Sequence, residues 1–245
     1  MLFSLLTTSC QLLDGTPRQP EPERLAATSG FVWVTDSSEH FRLHIDTGSI
    51  AVGRRDLLKF QLENDRTKVL WLVGDTGYVR PIDAFIVGTP EAMQRLTGQS
   101  ANGIAYHKSH VIVLTVTPSW SAIPAHEIFH IIAMNAWGTG PVWLNEGMAV
   151  LADGRWHDRP LHDVARELLD GQQLVSLERL IRRFRDGEAA VVYPQAASLL
   201  KYIVDQYGLD AVKALWHGDD EDFLRIAGKD LAAVEASWRT WLASE

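Results

Sequence analysis

The chain changes character once, at Pro118, and that change limits the folds open to it. Residues 30–117 mix short apolar or alternating runs with helical patterns. Phe31–Val34, Phe41–Ile45 and Ile82–Val87 read as strands, and Ile104–Tyr106 with Val111–Val116 as two paired strands around Lys108. Between them, Leu57, Leu58, Leu62, Val69 and Leu70 are spaced for helical segments within 50–72. Thr89-Pro90-Glu91 opens a short helix, with threonine as N-cap and proline at the first position. After Pro118 helical patterns follow one another at 121–136, 142–152, 162–170, 177–184, 194–207, 209–217, 220–227 and 231–243. Several stop at a glycine: Gly138, Gly154, Gly171, Gly208, Gly218 or Gly228. The expected fold class is α+β, with a mixed β-sheet in an α/β half (30–117) followed by a helical half (118–245).

Composition narrows the function classes. With 46% hydrophobic and 22% charged residues in 245, the chain is globular in make-up, which excludes collagen-like and mostly disordered classes. Its net charge is 23 − 31 = −8 without a basic run, so a nucleic-acid partner or anionic membrane surface is disfavoured. No apolar run reaches the ~18 residues that span a bilayer. Cys10 is the only cysteine, which excludes an internal disulfide and a thiolate cluster. A metal site would have to draw on the nine histidines and the carboxylates.

Residues 1–29 read as a separate segment. Met1 to Cys10 runs apolar, then small, then cysteine, and resembles the end of a bacterial lipoprotein signal whose cysteine becomes lipid-modified. It departs from that pattern in lacking a preceding Lys or Arg, in its short apolar part and in Thr7, where leucine is usual. A terminal segment with an incidental cysteine is the competing reading, and a cytoplasmic location goes with it. Asp14 to Pro22, with Pro17, Pro20 and Pro22, is a linker. A lipid anchor at Cys10 would make the protein exported or envelope-bound.

The chemistry concentrates in His126-Glu127-Ile128-Phe129-His130, an H-E-x-x-H sequence on a predicted helix. Residues i and i+4 share a helical face, so His126 and His130 can bind one metal side by side. Glu127 projects beside that face and can reach a zinc-bound water without being a ligand. Zinc would bring the pKa of that water towards ~7, and the glutamate would take its proton as the water attacks a carbonyl. A third ligand is needed. Glu146, near the start of the next predicted helix, would supply it if that helix returns antiparallel across the glycine turn at 138–140. Two His and one Glu leave a fourth position open, the pattern of a catalytic zinc. Taken alone, Glu146 reads instead as a solvated first-turn glutamate favoured by the helix dipole.

H-E-x-x-H followed by Trp143-Leu144-Asn145-Glu146-Gly147-Met148-Ala149 resembles the gluzincin zinc metallopeptidases, in particular small relatives of the aminopeptidase-N-like family. That resemblance covers about residues 100–210 and implies a thermolysin-like, peptidase MA-like catalytic domain over 30–245. It implies one zinc ion per chain on His126, His130 and Glu146, Glu127 as the base, and a peptide or protein substrate. The 16 positions from His130 to Glu146 are a few fewer than in the aminopeptidases. Tyr193, before Pro194, resembles the tyrosine that opens a later helix in the family and donates to the oxyanion. Gln195-Ala196 stand where the family usually has Lys-Gly. The edge-strand stretch Asn102–Tyr106 lacks the glutamate of the family's Gly-x-Met-Glu-Asn segment, so aminopeptidase specificity is not supported. An endopeptidase remains open.

Two other readings compete. A catalytically inactive metallopeptidase-like scaffold could keep the motif, although a base beside the metal serves no structural site. Asp46-Thr47-Gly48 and Asp75-Thr76-Gly77 match the D-T-G of aspartic proteases, but they lie 29 positions apart, too close for two lobes, and read better as turns. Asp153 is a candidate to orient a histidine. His107 and His110 read as solvated residues flanking a turn, and the tryptophans as anchors of helix packing. Asp219–Asp222 reads as a helix-start acidic cluster rather than a calcium site.

Overall fold

Alternation along the second strand sets up the sheet. Phe41, Leu43 and Ile45 are buried while Arg42, His44 and Asp46 point to the other face. The computed structural model describes residues 19–75, 77–118, 124–218 and 222–244. Cys10, Ser121, Thr76 and Asp219–Glu221 therefore lie outside the described residues, as does the side chain of Asp222. The chain divides into two compact units, one ending at Ala136 and one beginning at Trp137.

The first unit runs α1 (Pro22–Ala26), β1 (Trp33–Ser37), β2 (Phe41–Asp46), a 3-10 turn (Ile50–Arg54), α2 (Arg55–Val73), β3 (Ile82–Val87), α3 (Pro90–Thr97), β4 (Gly103–Tyr106), β5 (Val111–Thr115) and α4 (Pro124–Ala136). Its five strands lie in the order β1-β2-β3-β5-β4. β2, β3 and β5 are parallel, and β1 and β4 pair antiparallel at the two edges. A central strand covered on both faces has no solvent side, and all six residues of β3 are buried. On one face Phe85, Val87, Ile104, Tyr106 and Val113 pack with Ala92, Met93 and Leu96 of α3. The helices α2 and α4 pack against each other, and α4 also contacts β4 and β5.

Expected and observed elements differ in places. Thr89 caps α3 through its side chain, which accepts from the Ala92 N–H at 3.1 Å, with Pro90 at the first position as predicted. The first strand is shifted to Trp33–Ser37, and the helical segments of 50–72 form one long helix preceded by the 3-10 turn. His110 is not simply solvated. It is half-buried with φ +54°, hydrogen-bonds the Tyr78 hydroxyl at 2.6 Å and meets Arg80 at 2.9 Å. Asp75 accepts from the Gly77 N–H at 2.7 Å, and Asp46 ends β2 with Thr47-Gly48 in the turn that follows.

The second unit is mostly helical: α5 (Val142–Asp153), a small hairpin β6 (Arg155–Trp156) and β7 (Arg159–Pro160), α6 (Leu161–Asp170), α7 (Leu177–Arg182), α8 (Ala189–Tyr207), α9 (Leu209–His217), α10 (Asp222–Ala227) and α11 (Leu231–Ser244). The hairpin leaves no periodic pattern in the sequence because its strands are two residues each, and its turn needs positive φ at His157 and Asp158. Gly171 and Gly218 end helices without the left-handed φ that Gly154 adopts. α8 begins five residues before Pro194 rather than at it. Proline removes only the rung from its own nitrogen to the Ala190 carbonyl, in the second turn, and burial of Val192 and Tyr193 holds the preceding residues helical.

α5 and α8 pack closely at Gly147. A Cβ there would meet Leu200 Cδ1 at 2.7 Å and Ala196 Cβ at 2.9 Å, so only hydrogen fits between the helices. Trp216 and Trp238 are buried in this unit, and their indole N–H groups donate to the Gly138 carbonyl at 3.1 Å and to Ser198 Oγ at 3.2 Å. Among the described residues no helix is long and apolar enough to cross a membrane.

Candidate metal centre

Every residue of α4 from Pro124 to Met134 is buried, so its polar side chains sit among apolar ones. His126 and His130 lie one turn apart with ring centroids 4.8 Å apart and planes at 79°. Burial pushes the His126 imidazole down to about 3, because a charge there would lose its hydration. The ring is therefore neutral and keeps a lone pair for a ligand. Glu127, between them in sequence, has no exposed surface. Tyr106 of β4 is pushed up to about 12 by burial and then by the negative charge of Glu127, so the phenol stays protonated.

Glu146 lies in the second turn of α5 and is 1% exposed, which overturns the reading of a solvated first-turn glutamate. One ligand atom from each of His126, His130 and Glu146 lies within 4.8 Å of the others, and this group can hold a metal ion. Its chemistry is two imidazole nitrogens and one carboxylate oxygen, a set that suits zinc and leaves coordination positions open. Asp153 is half-buried at the end of α5, two turns beyond Glu146.

Tyr193 is the fifth residue of α8 rather than its first. Its ring is held between Trp156 of the hairpin, stacked at 5.5 Å and 29°, and Phe184 at 4.9 Å. Trp156 thus packs on a candidate catalytic side chain as well as serving the helices. Gln195 is fully buried, and its amide both accepts from the Val175 N–H at 3.0 Å and donates to the Val175 carbonyl at 2.7 Å. The lysine expected from the family resemblance could make only the second of these bonds. Trp156, Phe184 and the Val175 contact carry no spacing signal in the sequence, because they depend on the hairpin and on a loop.

These elements define a class: a mixed sheet with an H-E-x-x-H helix and a buried His-His-Glu group. A family model of the Peptidase MA superfamily matches residues 66–244, well over half of the chain, and the chain belongs to that superfamily. The match begins within α2 and takes in His126, Glu127, His130, Glu146 and Tyr193. No curated protein matches the chain. Membership suggests a metallopeptidase-like function and protein substrates.

Proposed function

We propose that the chain is a gluzincin-type zinc peptidase with a thermolysin-like catalytic arrangement. The observation that carries this reading is the buried group of His126, His130 and Glu146 with Glu127 on the same helix as the two histidines. A divalent ion between this buried carboxylate and the two imidazoles would offset its negative charge. Bound there, one zinc ion would polarise a peptide carbonyl and lower the pKa of water towards ~7.

Within that reading each side chain has a task. His126, His130 and Glu146 hold the ion. Glu127 takes the proton of the attacking water and returns it to the departing amine, so no net proton is lost. Its burial keeps competing solvent from hydrating the carboxylate. The Tyr193 hydroxyl donates a hydrogen bond to the carbonyl oxygen as charge develops on it, and the rings of Trp156 and Phe184 fix its direction.

Zinc per chain, measured by elemental analysis on the parent and on His126→Ala, tests the site. One zinc in the parent and none in the variant supports it. Glu127→Gln should keep the zinc and lose hydrolysis of a peptide library. A parent that takes up no zinc overturns the proposal. A zinc-loaded parent that cleaves nothing leaves the scaffold reading in its place.

A further inference from the structure

The edge strand β4 meets the H-E-x-x-H glutamate at a glycine. A Cβ built on Gly103 would stand 2.4 Å from Glu127 Oε1, 2.7 Å from its Cγ and 2.8 Å from its Cδ. Carbon and oxygen atoms in contact keep well over 3 Å, so a methyl group and the carboxyl cannot share this space. Neither partner can escape into water, since Gly103 and Glu127 are both buried.

Backbone freedom does not explain this glycine, because Gly103 is not in the left-handed region. The strand cannot easily withdraw either. Gly103 is in register with Leu114 of β5, and the Thr115 N–H donates to the Asn102 carbonyl at 2.8 Å immediately before it. On the opposite face Ile104 and Tyr106 are anchored in the core with α3. The sheet therefore presents a fixed backbone with a missing side chain where the carboxylate lies.

We propose that Gly103 is the positioning residue for Glu127: the volume of its absent side chain is the volume the carboxyl occupies, and β4 thereby sets where the proton acceptor stands. The kinetic consequence rests on the peptidase reading above, whereas the steric one does not. Alanine at 103 must turn the Glu127 side chain away from β4.

A thermal double-mutant cycle over Gly103→Ala and Glu127→Ala tests this without any need for activity or metal. In the parent, Gly103→Ala should lower Tm by several degrees. In the Glu127→Ala background all three opposing atoms are gone, and the same change should cost nothing or stabilise slightly, because alanine restricts the unfolded chain. In the Glu127→Gln background the loss should return, since glutamine has the shape of glutamate. An equal loss with and without the Glu127 side chain overturns the proposal. If Gly103→Ala alone does not fold, a folded Gly103→Ala/Glu127→Ala double variant supports it, and an unfolded one overturns it.

Activity provides the second readout. Gly103→Ala should retain one zinc per chain while kcat falls by about 10- to 100-fold and KM stays within about twofold, as expected for a displaced base. Parent-like kcat in that variant overturns the proposal. A zinc-loaded parent without any hydrolysis overturns the peptidase reading instead, and the thermal cycle still decides the placement of Glu127.

Discussion

Gln195 closes a two-bond clasp on the backbone of Val175, two residues after Tyr193, and its replacement has a calculable cost. Gln195→Leu keeps most of the side-chain volume in a fully buried position but removes both hydrogen bonds. Each bond contributes about 1 kcal/mol net, and stranding the amide and carbonyl of half-buried Val175 adds about 1 kcal/mol more. The sum is about 3 kcal/mol. In a chain of 245 residues that lowers Tm by about 6–12 °C. Gln195→Lys should fall further, because an ammonium cannot accept from the Val175 N–H and would bring a charge into a site without solvent. Circular dichroism melts of the two variants beside the parent measure both shifts. A Gln195→Leu melt within about 1 °C of the parent, or a lysine variant as stable as the parent, would refute the clasp as a source of stability.

Other expectations follow from the same contacts. Saturating zinc at about 100 times its dissociation constant should stabilise the parent by about 2.7 kcal/mol, reversed by chelator and absent in His126→Ala. At Asp83, burial raises the carboxyl pKa, but hydrogen bonds from His44 at 2.9 Å and from Arg42 at 3.1 Å outweigh it and leave it below the usual value. That lowered value makes its contribution present above the unfolded pKa of about 3.9 and lost as pH falls through the folded one. Urea midpoints followed down to about pH 3 should therefore fall less steeply in Asp83→Asn than in the parent. Gly140→Ala would bring a methyl to 2.3 Å from the Trp216 ring, and overpacking of this kind costs about 1–3 kcal/mol, readable as a lower melt and altered tryptophan fluorescence.

Legibility in the sequence followed the reach of each physical signal. The period-2 pattern of β2 and the apolar run of β3 are local, and both strands lie where that pattern places them. The cap at Thr89 and the i, i+4 pairing of His126 and His130 are local too. Burial of Glu146 is not local. A glutamate near a helix start looks solvated until the tertiary fold covers it, and the ligand reading needs both a return of the chain across the glycine turn and the family resemblance. The start of α8 was misplaced because proline usually marks a helix's first turn, whereas packing carries this helix through Pro194. Gly103 stands in the edge-strand stretch 102–106, just before the predicted strand 104–106, and its meaning depends on an α4 side chain 24 positions later in the sequence.

Gly147 links two residues that stand 47 positions apart, Glu146 beside it on α5 and Tyr193 on the helix that Gly147 lets approach. Any larger residue there must be matched by a smaller one at Ala196 or Leu200, or α8 must withdraw. The glycine, the alanine and the leucine therefore form a single steric unit. A substitution at one without compensation at the others changes the spacing between a candidate ligand and a candidate hydrogen-bond donor, even with both of those residues intact.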